Sequence, residues 1–200
     1  MFRIPLFPIG AVLFPSALLP LHIFEPRYRR LVARCLEFDR RFGIVFHDPD
    51  RHGPFLFEEG RVGTVAEIEE FQVLPDGRSL ISTRGAERFR IVDGIESDEP
   101  FYEGLVETFE DRSPGAGIVD RRIRSIELFH GVTETLPTPP ERLPEFDPAR
   151  ETSFRLAALI QIDPTWQQTL IQLRSEEKRL DRVDLILQAA IDGGAAAEPI

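Results

Sequence analysis

The chain has 200 residues, 42% of them hydrophobic, and carries 34 acidic against 24 basic side chains for a net charge of -10. That is enough apolar material for one large domain or two small ones, and the acidic balance sets up a long-range field that repels nucleic acid and anionic lipid. Cys35 is the only cysteine, which excludes an intrachain disulfide framework and a cysteine-rich zinc site and points to a reducing, cytoplasmic setting.

Residues 4–24 contain no charged side chain when His22 is neutral, and with Arg3 ahead of them they imitate a signal peptide or membrane anchor. Pro5, Pro8, Pro15 and Pro20 argue against a spanning helix, since each removes a backbone donor. No small-residue cleavage site closes the run. The expectation is a soluble protein with no membrane partner, in which residues 2–9 and 18–25 are short strands. His22, alternating with Leu21 and Ile23, reads as a hydrogen-bonded or partly exposed strand histidine rather than a ligand. Pro26 then suits a first helical position, with Glu25 where a helix N-terminus favours negative charge. Tyr28, Leu31, Val32, Cys35 and Leu36 recur at helical spacing, and Arg27, Arg30 and Arg34 fall on another face. The join at 25–28 is a strand-to-helix corner.

Residues 41–47 predict a further strand, bounded by charge. In HDPDRH, His47 and His52 with Asp48 and Asp50 could be drawn as a metal site, but a proline-broken turn offers no helical ligand spacing, and a polar surface turn is the simpler expectation. Pro75-Asp76-Gly77 between 61–74 and 79–92 signals a long β-hairpin, and 101–109 supplies a last strand. From about residue 117 the pattern turns helical, with Val119, Ile123, Ile126, Leu128 and Phe129 as an apolar stripe. Prolines break the pattern over 136–148, a stretch expected to loop within the helical part. Helix resumes at Ser153, Asp163-Pro164 caps a second helix, and Ser175 with Glu176 and Glu177 opens a third that presents Leu180, Val183, Ile186, Leu187 and Ala190.

Little here can carry catalysis. Lys178 is the only lysine and lies in SEEKRL, so neither a phosphate-binding loop ending in Gly-Lys nor a desolvated Ser-Lys dyad is present in this sequence. His130 and the carboxylate pairs Glu58-Glu59 and Glu69-Glu70 read as solvated polar groups. A hydrolase would need His, Asp and Ser converging on a polar cleft from distant positions. The arginine groups at 27–34 and 121–124 lack interleaved exposed aromatics, and surface pairing with carboxylates is the expected use. The loops "FPSALLPL" (14–21) and "GPFLFEEG" (53–60) hold more apolar surface than loops need. They either fold back to cap the strand domain or form a site for apolar segments of another polypeptide.

"IPLFPIGAVLFPSALLPLHIFEPRYRRLV" (4–32), "RVGTVAEIEEFQVLPDGRSLISTRGAERFRIV" (61–92), "FYEGLVE" (101–107), "LAALIQID" and "LRSEEKRLDRV" span most of the chain. In that order they resemble the N-terminal substrate-binding domain of Lon proteases, especially its free-standing bacterial versions. The resemblance implies an α+β fold, with a β-rich PUA-like pseudobarrel over 1–113 and a helical bundle domain over 114–192 that ends in a long helix, and Gly193-Gly194 at the end of that helix predicts a flexible tail at 193–200. In full Lon enzymes that helix leads into an ATPase module and a Ser-Lys protease module. The expectation here is the recognition domain without either: no enzyme, no cofactor and no metal. The implied partners are unfolded or apolar polypeptide segments, in the manner of a quality-control adaptor, with Phe14, Leu18, Leu19, Phe55 and Phe57 as candidate contacts. Glu25, Pro26, Arg27 and Tyr28 correspond to the family's structural corner. PUA-like barrels also include RNA-modification modules, which makes RNA binding the alternative, against the net charge. The oligomeric state is not implied.

Overall fold

The computed structural model describes residues 1–136, 143–160 and 162–193. By internal contacts the chain divides into two units, Met1–Glu110 and Asp111–Ile200.

The first unit is built of β1 (Phe2–Ile9), β2 (Leu18–Ile23), α1 (Pro26–Glu37), β3 (Arg41–Phe46), the one-turn α2 (Pro49–His52), β4 (Val62–Val73), β5 (Ser79–Ile95) and β6 (Tyr102–Thr108). Sheet order is β2-β5-β4-β3-β1-β6, and β6 pairs back onto β5. Five strands therefore close a ring, β5-β4-β3-β1-β6. Among the described residues only β1 and β3 pair in parallel, with Leu6 opposite Gly43. The 17-residue β5 makes this closure possible by serving two neighbourhoods. Its first half pairs with β2 (Leu18 opposite Arg84, Ile23 opposite Ser79), and its second half pairs with β6 (Phe89 opposite Thr108, Ile95 opposite Glu103). Register shifts at Thr64/Ala66 and Ile68/Glu70 in β4, and at Ile91/Asp93 in β5, bend the strands into the ring.

Strand alternation divides the apolar residues between two cores. Ile4, Leu6, Val45, Val65, Phe89, Ile91 and Val106 pack together with Phe55 in one. Gly43 and Gly63 are required by this packing: a Cβ on Gly43 would stand 2.7 Å from both Leu6 and Phe89, and one on Gly63 would stand 2.4 Å from the Ile44 carbonyl oxygen. The opposite faces of the same strands, Phe7, Phe42, Ile44, Ala66, Ile68 and Ile81, pack against Tyr28, Leu31, Val32 and Cys35 of α1 in the second core. Burying four such α1 side chains contributes roughly 6–10 kcal/mol of gross apolar transfer.

The corner before α1 takes the form expected from the sequence. Glu25 is the extended N-cap residue and Pro26 occupies the first turn. The Glu25 carboxylate makes no cap bond and instead accepts from Arg27 Nε at 2.9 Å. Tyr28 is buried, with its ring 3.9 Å from that of Phe7 and the Arg27 guanidinium 4.5 Å above it. Burial pushes the Tyr28 hydroxyl up to about 12.

In the second unit, α3 (Ile118–Thr135), α4 (Ser153–Leu159), α5 (Pro164–Ile171) and α6 (Glu176–Ile191) form the helical part. Asp163 and Ser175 cap α5 and α6 through bonds accepted from Thr165 N–H and Lys178 N–H. The buried face of α3 differs from the expected stripe. Val119 and Ile123 are exposed, whereas Arg122, Ser125, Ile126, Phe129, Val132 and Thr133 are buried. Arg122 is not a surface arginine: its guanidinium forms a two-bond pair with the buried Glu176 at 2.8 and 2.6 Å. Arg179, fully buried on α6, donates to Asp111, Ser153 and the Leu173 carbonyl and lies 4.0 Å over the Phe154 ring. These charged residues carry no apolar-pattern signal, which is why periodicity misplaced the buried face. The predicted features over 137–142 and 194–200 lie outside the described residues.

Candidate functional site

The loop at 10–17 folds back onto β5 before β2 begins. Gly85 allows the approach, since a Cβ there would stand 2.1 Å from the Phe14 carbonyl oxygen. Ser16 N–H donates to the Gly85 carbonyl at 2.7 Å, and Thr64 Oγ1 donates to the Leu13 carbonyl at 2.6 Å. Leu13 and Phe14 are thereby buried. From Leu18 onward the alternation separates the chain cleanly. Leu19, Leu21 and Ile23 face the α1 core, and Leu18, Pro20, His22 and Phe24 face outward.

Leu18 is 56% and Phe24 57% exposed, and Leu80, opposite His22 on β5, is 43% exposed. The His22 and Phe24 rings stand 5.7 Å apart. This row bears no formal charge while His22 is neutral, and its nearest charged neighbour on β5, Arg84, is bound to Glu69 at 2.5 Å. The result is an apolar, uncharged strip on a strand at the end of the sheet order.

The second apolar loop is elsewhere. Phe55 is buried, with its ring 4.9 Å from Tyr102, 5.4 Å from Phe57 and 5.4 Å from His47. Phe57 lies against Gly94, where a Cβ would come within 2.6 Å of the ring, and remains 37% exposed beside Leu56 at 71%. It borders a surface groove of about 750 Å³ with Arg27, Tyr102 and the 95–100 loop. Leu18 is opposite Arg84 and Phe57 is over Gly94, so the two loops mark positions ten residues apart along β5 and form no common patch. Of the candidate contacts, then, Phe14 and Phe55 are core residues, Leu19 is partly buried against the α1 core, and Leu18 and Phe57 are exposed on separate surfaces. Phe24 and Leu80 are the apolar neighbours that the loop-centred reading passed over. Outward alternation along 18–24 is the sequence signal that could have found Phe24, whereas Leu80 needed the β2–β5 register.

The polar candidates are accounted for by local bonds. His47 is buried with Nε2 2.8 Å from the Gly53 carbonyl oxygen, and His52 Nδ1 lies 3.0 Å from the Asp48 carbonyl oxygen. The expected polar surface turn is in fact the one-turn α2 beside a buried His47. Among the described residues no group of three or more His, Cys, Asp or Glu side chains is placed to hold a metal ion. Burial pushes the Cys35 thiol up to about 12, leaving it far from thiolate chemistry. Several arginines are engaged: Arg27 with Glu25, Arg30 with Glu99, Arg34 with Glu103 and Arg121 with Asp181. Among the described residues no helix is long and apolar enough to cross a membrane.

Comparison with known proteins agrees with this fold. Residues 3–189 match the family model described as the ATP-dependent protease La (LON) substrate-binding domain. The chain is 34% identical over 113 residues to a Lon protease of Cytophaga hutchinsonii, a match covering 56% of this chain and 14% of that protein. It is 24% identical over 199 residues to Lon protease 2 of Herpetosiphon aurantiacus, covering 95% of this chain and 24% of that protein. The chain thus spans under a quarter of the length of these two relatives. A crystal structure of a Lon N-terminal domain protein from Xanthomonas campestris superposes with a TM-score of 0.66 at 26% identity, covering 92% of this chain and 97% of that one.

Proposed function

The chain belongs to the Lon substrate-binding domain family, and from that premise we propose that it is a non-catalytic module that binds exposed apolar segments of unfolded polypeptides in the cytoplasm, acting as a quality-control adaptor. The observation that carries this reading is the uncharged apolar strip of Leu18 and Pro20 on β2, Phe24 just after it and Leu80 on β5. Side chains of this kind, held out by a strand whose other face is packed on the α1 core, give up little order and lose hydration when an apolar segment covers them. The strip supports a polypeptide ligand over RNA, since phosphate binding needs unpaired cations. Here the net charge is -10 and many arginines are held by carboxylates.

The test is fluorescence anisotropy of a labelled, permanently unfolded polypeptide titrated with the protein at moderate salt, with a structured RNA in parallel. Saturable polypeptide binding that falls at least about tenfold in the Leu18→Ser/Phe24→Ser double variant is expected, the loss corresponding to two exposed apolar contacts. Phe57→Ser should leave that affinity within about twofold. Saturable binding to the RNA instead, or polypeptide binding indifferent to Leu18 and Phe24, would overturn the reading.

A further inference from the structure

Beyond the side chains of the strip, the backbone of β2 bears on how a polypeptide would be held. Among the described residues β2 pairs only with β5, so its other edge has no partner strand. In an antiparallel pair, successive residues turn their N–H and C=O groups alternately toward the partner and away. Pro20 lies opposite Ser82 in the middle of the ladder and has no N–H. A proline there is tolerated only at the phase that faces away from β5. Leu18 and His22, two residues to either side, share that phase and turn their N–H and C=O groups to the open edge. Leu18 and His22 thus turn their backbone groups to the open edge while their side chains, with that of Pro20, face outward in the row that continues to Phe24.

The other open edge nearby is defended. β3 pairs with β4 only as far as Glu67, and beyond Ile68, which bonds the Arg40 carbonyl, β4 carries Glu69 and Glu70 at a register shift. Charge and irregularity of this kind prevent strand addition. β2 carries no charged side chain and no register shift, and of the edge-blocking devices it has only its shortness and Pro20, which leaves outward donors at Leu18 and His22.

We propose that β2 takes up an extended segment of another polypeptide as an added strand. Bonds would form at Leu18 and His22, and the apolar side chains of every second ligand residue would lie beside Leu18 and Phe24, with Leu80 on β5 one strand further from the edge. This rests on the polypeptide-binding reading and specifies its mode. The ligand it selects is an uncharged, apolar-alternating stretch free of proline. A second copy of this chain is a poorer occupant. It brings another net charge of -10, and twofold pairing centred on Pro20 would set two prolines opposite each other at the one pair that lacks a donor on either side.

The probe is a labelled peptide of about ten residues alternating Leu or Val with Ser or Thr, a length matched to strand addition. Amide hydrogen exchange of the full chain, read with and without saturating peptide, should show the Leu18 and His22 amides passing from fast to slow exchange, with Leu19 and Leu21 slow in both states. His22→Pro removes one outward donor at a phase where Pro20 is already accommodated, and should weaken binding by about fivefold, the scale of one backbone hydrogen bond. His22→Ala, which keeps the N–H and loses only the ring beside Phe24, should weaken it less than His22→Pro does. Peptide binding that depends on Leu18 and Phe24 but leaves the Leu18 and His22 amides in fast exchange would overturn strand addition and leave the proposed function standing. Concentration-dependent protection of those amides without peptide would mean that a second copy occupies the edge, which also overturns it. Failure of any polypeptide to bind would defeat the function and the mode together. Should His22→Pro not fold, the exchange measurement decides alone.

Discussion

Replacing Glu103 by Gln removes a charge without changing shape, and the structure sets the size of the effect and its pH dependence. The Glu103 side chain on β6 is fully buried. Arg34 Nη1 donates to Oε1 at 2.7 Å, Arg3 Nε donates to the same oxygen at 2.9 Å, and Arg3 Nη2 is paired with Oε2. Burial pushes the carboxyl up, but the hydrogen bonds from Arg3, Ser97 and Arg34 outweigh it and hold it at about 2, against an ordinary 4.5. At about 1.36 kcal/mol per pH unit, that interval corresponds to roughly 3 kcal/mol. Arg3 is 48% exposed, and solvent screening of that partner reduces the expected contribution to about 2 kcal/mol. Because the folded value lies below the unfolded one, the contribution is complete above about 4.5 and disappears as the pH falls to about 2. Urea unfolding of the wild type and Glu103→Gln should therefore show a gap of about 2 kcal/mol at pH 7, still present at pH 5.5. The gap should shrink to roughly half by pH 3. A gap equal at pH 7 and pH 3, or one under about 0.5 kcal/mol at pH 7, would refute the assignment of the charge as the source of the stability.

Phe89→Ala empties the centre of the ring core and should cost about 3–5 kcal/mol in chemical denaturation. Gly63→Ala should cost about 1–3 kcal/mol in the same assay, because its new methyl meets the Ile44 backbone oxygen rather than a side chain that can turn away. In the helical unit, Arg122→Met alone leaves Glu176 buried without its partner and should cost about 3–5 kcal/mol, whereas Arg122→Met with Glu176→Leu should recover much of that loss. Asp163→Ala removes the N-cap of α5 and should lower stability by about 1 kcal/mol, seen as a shift in the denaturant midpoint with unchanged slope. Leu18→Ser/Phe24→Ser, at exposed positions, should change stability by no more than about 0.5 kcal/mol, so that its effect on polypeptide binding is read free of unfolding.

What the sequence determined is local in origin. Pro26 behind Glu25 specified the corner into α1, Pro75-Asp76-Gly77 specified the hairpin turn, and Asp163 and Ser175 specified helix starts. Each of these depends only on backbone angles and on donors within a few residues. The strand at 18–23 was equally legible, but Leu18 and Leu19, grouped together as candidate contacts, fall on opposite faces of it. The fate of the apolar loops was not. Phe14 is buried because Gly85, about seventy residues away in sequence, lets the backbone approach. Phe55 is buried because Tyr102 and His47 meet around it, and Phe57 is left at the rim over Gly94. Arg122 and Glu176 are 54 residues apart and bury each other, a pairing that no hydropathy pattern marks. Closure of the ring through β5 and β6, and the open edge it leaves on β2, follow from which strands meet. That choice is set by long-range burial and backbone pairing between residues far apart in the chain, which composition and periodicity within one segment do not encode.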